Sequence, residues 1–256
     1  MTSLSRIDPR PVRAVRDPAR VTSLAARALD MLAASRRRDR PAPVESWVRA
    51  LAEAAIDPEP AARRDVARRM RAAGVTGEDI GDVYIPAAAR RLGEAWSEDR
   101  LSFAAVSIGS ARLQALLRDA QIAAAQDPVD GAGELRVMVL ADAHHTLGAM
   151  VLTNQLRRTG TSVRLGFVQQ TDEVDRIVSE CAFDAILVSV ARADDFTPTA
   201  DTVARLRRLT DGRVPLIAGG SIMDLGADSA RCMTGADHAT GDPRRALELI
   251  GEWAAR

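Results

Sequence analysis

Apolar positions along the chain follow two periods, and the change from one to the other divides it. From Glu45 to Ala125 they recur every three or four residues. Trp47, Val48, Leu51 and Ala55 come first, then Val66 and Met70, Leu92 and Trp96, and finally Phe103, Val106, Leu113 and Leu117. Such spacing gathers them on single faces of α-helices. The punctuation agrees: Asp57-Pro58-Glu59-Pro60 stops one helix and starts the next, and Gly74 is placed to cap it in the left-handed conformation. Thr76 to Asp79 has the form of a capping box opening a short helix toward Tyr84, and Pro86 suits a first helical turn. Residues 45–126 are therefore predicted to form a small all-α helical bundle.

Beyond the turn-forming segment from Asp127 to Gly133 the pattern shortens. Apolar runs at Leu135 to Leu140, Ser162 to Phe167, Ala185 to Val190, Val214 to Ala218 and Ala236 to Ala239 read as strands. They alternate with helical stretches at Gly148 to Arg158, Asp172 to Cys181, Pro198 to Leu209, Asp224 to Ala230 and Pro243 to Ala254. Five such repeats predict an α/β domain over 135–256, with 127–134 as linker. Its expected form is a flavodoxin-like (Rossmann-like), doubly wound five-stranded parallel sheet. Ligands of such sheets lie outside the carboxyl ends of the strands, which directs attention to 141–148, 190–193 and 219–223.

Composition adds a few constraints. Aromatic residues are 3% of the chain, so the cores must be aliphatic. Residues 1–44 hold Pro9, Pro11, Pro18, Pro41 and Pro43, with one helical stretch from Val21 to Ala34, and are expected to be a basic flexible tail. Residues 1–40 carry ten Arg against four Asp, a charge suited to solvent, nucleic acid or an acidic partner. Cys181 and Cys232 have no Cys-x-x-Cys spacing, which argues against zinc and disulfides and leaves them as packing residues. With no membrane-length apolar run and no secretory signal pattern, a cytoplasmic protein is expected. No acid-base cluster accompanies the α/β pattern, so the chain is not expected to be an enzyme.

The first of the three strand ends reads Ala141-Asp142-Ala143-His144-His145-Thr146-Leu147-Gly148, which puts two of the three histidines into one β-α loop. Neutral imidazole is a common metal ligand, although a lone loop histidine is more often none. The second strand end carries Ser189-Val190 and the third Gly219-Gly220, whose bare backbone would let a bulky ring or tail approach.

This arrangement resembles the B12-binding domains of methionine synthases, mutases and cobalamin photoreceptors. There the order is an acidic residue, any residue, His, two residues and Gly, then Ser with an apolar residue, then Gly-Gly. The resemblance implies His145 as lower cobalt ligand, with His144 as the fallback. It further implies Gly148 in the ligand loop, Ser189 and Val190 beside the nucleotide tail, and Gly219 and Gly220 lining the tail's channel. One position departs from the pattern. Ala143 stands where the family's acidic residue orients the imidazole, and Asp142 is one residue out.

In the helical region, Tyr84-Ile85-Pro86, Leu92-Gly93-Glu94-Ala95-Trp96 and Arg112-Leu113-Gln114 are similar to the cap of corrinoid carriers and light-sensing regulators, with Trp96 in place of the tryptophan over the upper axial group. Val106 and Ser107 stand where the light sensors have Glu and His. The words match best those of the PpaA/AerR antirepressors of photosystem genes. That resemblance implies a cobalamin-binding, light- or redox-responsive transcriptional regulator. It would act by contact with a repressor of the CrtJ/PpsR type, with DNA contact secondary. The hydroxo or aquo form of cobalamin is favoured, adenosyl and methyl forms remain open, and haem is the alternative cofactor. The alternative function is a corrinoid carrier of a methyltransferase system.

Overall fold

The computed structural model describes residues 17–36, 42–124, 135–143, 145–191 and 196–256. Their contacts divide the chain into two compact units. One comprises Met1–Ala26, Leu135–Ala143 and Gly166–Arg256; the other comprises Arg27–Glu134 and His144–Leu165. The expected linker at 127–134, most of the arginine-rich N-terminus and His144 lie outside the described residues.

Five strands are described: β1 (Arg136–Ala141), β2 (Ser162–Phe167), β3 (Ala185–Ser189), β4 (Leu216–Gly219) and β5 (His238–Ala239). They form one five-stranded sheet in the order β2-β1-β3-β4-β5, with β1, β3, β4 and β5 paired in parallel. The order matches the flavodoxin-like sheet, whose switch point lies between β1 and β3. Burial explains the continuous apolar runs. Val137 to Ala141 are wholly inaccessible, as strands covered on both faces must be. Each large side chain so buried contributes about 1.5–3 kcal/mol of hydrophobic transfer. Met138, Leu140, Ile186, Val188, Leu216 and Ala218 share one core with residues of α8 (Thr171–Glu180) and α9 (Thr197–Leu209). Where one helix was expected from Asp224 to Ala230, a 3-10 turn at Ser221–Leu225 precedes α10 (Ala227–Thr234). Gly226, at φ 86°, breaks the two apart in a conformation that L side chains avoid. The last helix, α11 (Pro243–Ala254), starts with the Asp242 side chain accepting from the Arg244 amide.

The second unit holds α2 (Glu45–Ile56), α3 (Pro60–Ala72), the single turn α4 (Gly77–Asp79), α5 (Ile85–Ser97) and α6 (Phe103–Ala124). Val48, Leu51, Ala55, Val66, Met70, Leu92, Leu113 and Leu117 meet in its core, as their spacing requires. At the end of α3, Val75 N–H donates to the Met70 carbonyl and Gly74 N–H to the Arg71 carbonyl, with Gly74 at φ 88°. This is the six-to-one and five-to-two pairing of a Schellman cap. Thr76 accepts from the Asp79 amide as a capping residue should.

Two differences from the sequence reading matter. First, Pro86 lies in the first turn of α5 as expected, but the chain is already helical before it. The chain stays helical from α4 into α5 through a π-turn at Ile80–Tyr84. A proline ring inside an α-helix collides with the carbonyl four residues back, here that of Asp82, and the wider turn makes room for it. Second, α7 (Thr146–Arg157) packs with the bundle, although its place after β1 suggested the α/β domain. Val151 joins the bundle core, with Leu147 and Met150 against it.

The N-terminal stretch expected as a tail contains α1 (Pro18–Arg36), with Val21, Ala25, Ala28 and Leu32 buried along one face. Thr22 donates to the Gly251 carbonyl, and a Cβ on Gly251 would meet that of Ala25 at 3.4 Å. This half of α1 is therefore held against α11. The cysteines are corrected too: Cys181 and Cys232 are both free and exposed, not packed. Among the described residues no helix is long and apolar enough to cross a membrane.

Candidate functional site

Register brings the predicted sheet residues together. Ala141 of β1 pairs with Ser189 of β3, and Ser189 with Gly219 of β4, so the three end one row across the sheet at neighbouring-strand spacing. Val190 N–H donates to the Gly219 carbonyl at 2.8 Å, and Val190 accepts from the Ile222 amide at 3.3 Å. Ser189, Val190, Gly219 and Gly220 thus form one contiguous edge at the switch point, with Ser189 half-buried.

The glycines are demanded by the chain itself. A Cβ on Gly219 would lie 2.6 Å from the Thr240 carbonyl oxygen. One on Gly220 would lie 2.6 Å from the Val190 oxygen, and Gly220 has φ 95°. The bare backbone inferred from sequence is real, yet its immediate neighbour is β3 and β5 backbone. Both glycines are explained before any ligand is considered.

His145, Gly148 and Trp96 fall in the other unit. His145 is exposed and occupies the N-cap position of α7, with φ −124° and ψ 51°, four residues past the end of β1. Gly148 is exposed in the first turn of α7. Trp96 ends α5 half exposed, while Leu92 one turn earlier is buried in the bundle core. Its ring stands 6.1 Å from that of Phe103, which is 71% exposed. Two large rings side by side at the surface are not the core tryptophan a small bundle would ordinarily hide. Val106 is part of the bundle packing.

Sequence reading missed Gln169. From the loop after β2 its side chain accepts from the Ala143 amide at 3.0 Å and donates to the Asp142 carboxylate at 2.8 Å. It therefore staples the loop that leads to His145. The Asp142 carboxylate, one residue from the family's acidic position, is engaged by this amide. The only hint in the sequence was a polar Gln169-Gln170 pair at a strand's carboxyl end, which carries no motif.

Among the described residues, no three His, Cys, Asp or Glu side chains gather as a metal-binding group. A macrocycle-bound metal would need few donors from the protein, and the exposed His145 imidazole has the nitrogen to supply one.

No protein-family model matches the chain. Among solved structures, the monomethylamine corrinoid protein of Methanosarcina barkeri aligns over 79% of this chain and 95% of its own, with TM-score 0.59 and 17% identity. That likeness shows the fold, a Rossmann-like sheet preceded by helices. A cobalamin-binding protein of Desulfitobacterium hafniense aligns more loosely, at TM-score 0.39 and 18% identity over 80% of this chain and 98% of its own. In sequence, the chain is 39% identical over 175 residues to an uncharacterized 20.5 kDa protein in the bchF-crtJ intergenic region of Rhodobacter capsulatus, covering 68% of this chain and 91% of that protein. The chain therefore belongs to the family of that Rhodobacter protein.

Proposed function

We propose that the protein binds cobalamin and acts as a transcriptional antirepressor, contacting a repressor of the CrtJ/PpsR type. The observation that carries the cofactor reading is the register at the switch point. Ser189 and Gly219 end adjacent strands there, beside the strand from which the His145 loop departs. The gene context in the relative's name, next to crtJ, supports the regulatory reading.

In this reading His145 is the lower axial donor, and its N-cap position leaves the ring outside the helical ladder. The Ser189 hydroxyl hydrogen-bonds the tail, and Val190 supplies an apolar wall beside it. Gly219 and Gly220 keep the strand ends clear of side chains, while Gln169 fixes the loop. Trp96, with Phe103 beside it, offers apolar surface suited to a macrocycle. When bound, the corrinoid would supply a cobalt able to exchange a ligand in response to light or redox state. Converting a population from 1:99 to 99:1 needs about 5.5 kcal/mol of differential binding between the two states.

The test is a visible spectrum of the full chain mixed with hydroxocobalamin. We expect the base-off, histidine-ligated form, abolished by His145→Ala with the fold retained and kept by His144→Ala. Stoichiometric uptake of haem with no cobalamin bound would overturn the cofactor. Sequence-specific operator binding by this chain alone at moderate salt would overturn the antirepressor role.

A further inference from the structure

The helical unit contains a buried carboxylate that the cofactor reading does not use. Asp82 lies in the π-turn with its side chain 1% exposed, and Arg158 Nη2 donates to its Oδ2 at 2.5 Å. Arg158 is the C-cap residue of α7, and His145 is the N-cap residue of the same helix. The two caps stand roughly 20 Å apart along a rigid rod. Between them Val151, Leu147 and Met150 pack on the bundle. One helix thus carries the candidate ligand at one end and an ion pair to the bundle at the other.

We propose that α7 is the lever through which the bundle senses occupancy at His145, with Asp82 and Arg158 as the residues that position it. The inference rests on His145 being the axial ligand. Three observations favour a lever over a merely packed helix. The anchor sits in a π-turn, a rare element whose hydrogen bonding differs from that of the helices on either side and which recurs at functional sites. Thr153 and Asn154 of α7 are 3% and 5% exposed, yet Thr153 Oγ1 and Asn154 Nδ2 have no hydrogen-bond partner among the described residues. Such unsatisfied buried groups are uncommon in folded proteins and are one place where strain is held. Finally, the Asp82 carboxylate is buried, so removing Arg158 would take a charged partner from it, and the pair ties the end of α7 to the π-turn.

Hydrogen exchange of the full chain, with and without hydroxocobalamin, tests the lever on peptides covering 146–157 and 80–84. In the wild type, cobalamin should slow exchange in both. In Arg158→Met the ligand should still protect α7 but no longer the π-turn, and affinity should fall about tenfold, within the usual range of coupling between sites. Arg158→Lys should restore part of both. Arg176→Met, which removes an exposed pair with Glu180, should change neither. A π-turn protected by ligand in Arg158→Met as fully as in the wild type overturns the proposal. Asp82→Asn should match Arg158→Met; if it fails to fold, the variants at Arg158, whose side chain is 30% exposed, decide. If the wild type takes up no cobalamin, the proposed function fails first. Exchange in the unliganded protein then judges the lever: α7 and the π-turn should open together and separate in Arg158→Met, and no separation overturns it.

Discussion

The carboxyl edge of the sheet and the surface of the helical unit are built on opposite terms. At the sheet edge, position is fixed by backbone: parallel pairing sets Ala141, Ser189 and Gly219 in one row, and glycines exist because neighbouring carbonyls leave no room for a Cβ. In the helical unit, position is fixed by side chains. The Trp96–Phe103 pair joins the end of α5 to the start of α6, and the Arg158–Asp82 pair and the seating of Val151 are contacts between residues far apart in sequence. A backbone-built edge gives the same geometry whatever binds. A side-chain-built surface has alternatives, and regulation needs alternatives.

One substitution should separate the two regions most sharply. Gly220→Ala puts a Cβ 2.6 Å from the Val190 oxygen at φ 95°, a conformation costing about 1–3 kcal/mol or more in strain. Gly93→Ala, inside α5 with nothing within 4 Å of the new Cβ, should instead stabilise by about 0.5–1 kcal/mol. Denaturant unfolding of both variants measures the difference. Equal effects would mean that the sheet edge yields as readily as a helix surface.

The same contrast explains what the sequence disclosed. Strand and helix periods are local, so the five repeats and the helical bundle could be read directly, and the Ser189 and Gly219 row followed from strand order. Gly74 was legible because a helix end needs a positive φ. By contrast, α7 looked like a sheet helix because chain order says so, whereas its apolar face is shared with the bundle core. Gln169 was hidden because a loop staple depends on two loops meeting. The π-turn was hidden because it answers a steric conflict at Pro86 that no period records. The N-terminal helix α1 showed as a pattern from Val21 to Ala34, and its anchor on α11 came only from tertiary packing.

A smaller effect is expected at the loop joining the edge to α7. Ala143 occupies the family's acidic position, and Gln169 engages Asp142 instead. Ala143→Asp should tighten hydroxocobalamin binding about tenfold by restoring the acidic side chain that the family pattern carries at this position. Gln169→Ala should weaken it by releasing the loop. Spectral titration measures both, and a tighter Gln169→Ala would show that the staple restrains the ligand loop unfavourably.

The smallest expected effect tests whether backbone rule extends to the far edge of the sheet, at β5. His238 lies there with Nε2 buried and without a hydrogen-bond partner among the described residues, its ring edge-on to Trp253 at 6.1 Å. Burial lowers its pKa below the ordinary 6.5; among the nearby charges Asp237 and Glu252 oppose the shift, and Arg256 and Arg245 add to it. The folded chain therefore holds this ring neutral where the unfolded chain would already take a proton. Stability from His238 is fully present above about pH 6.5 and is lost as the pH falls through the lowered value. His238→Phe keeps a ring against Trp253 and removes the titration. The melting temperature of the variant should track the wild type above about pH 7 and exceed it increasingly below about pH 6. A constant offset at every pH would show that the imidazole is protonated as easily in the fold as out of it. Side-chain burial, and not backbone geometry alone, would then have no hold on that edge.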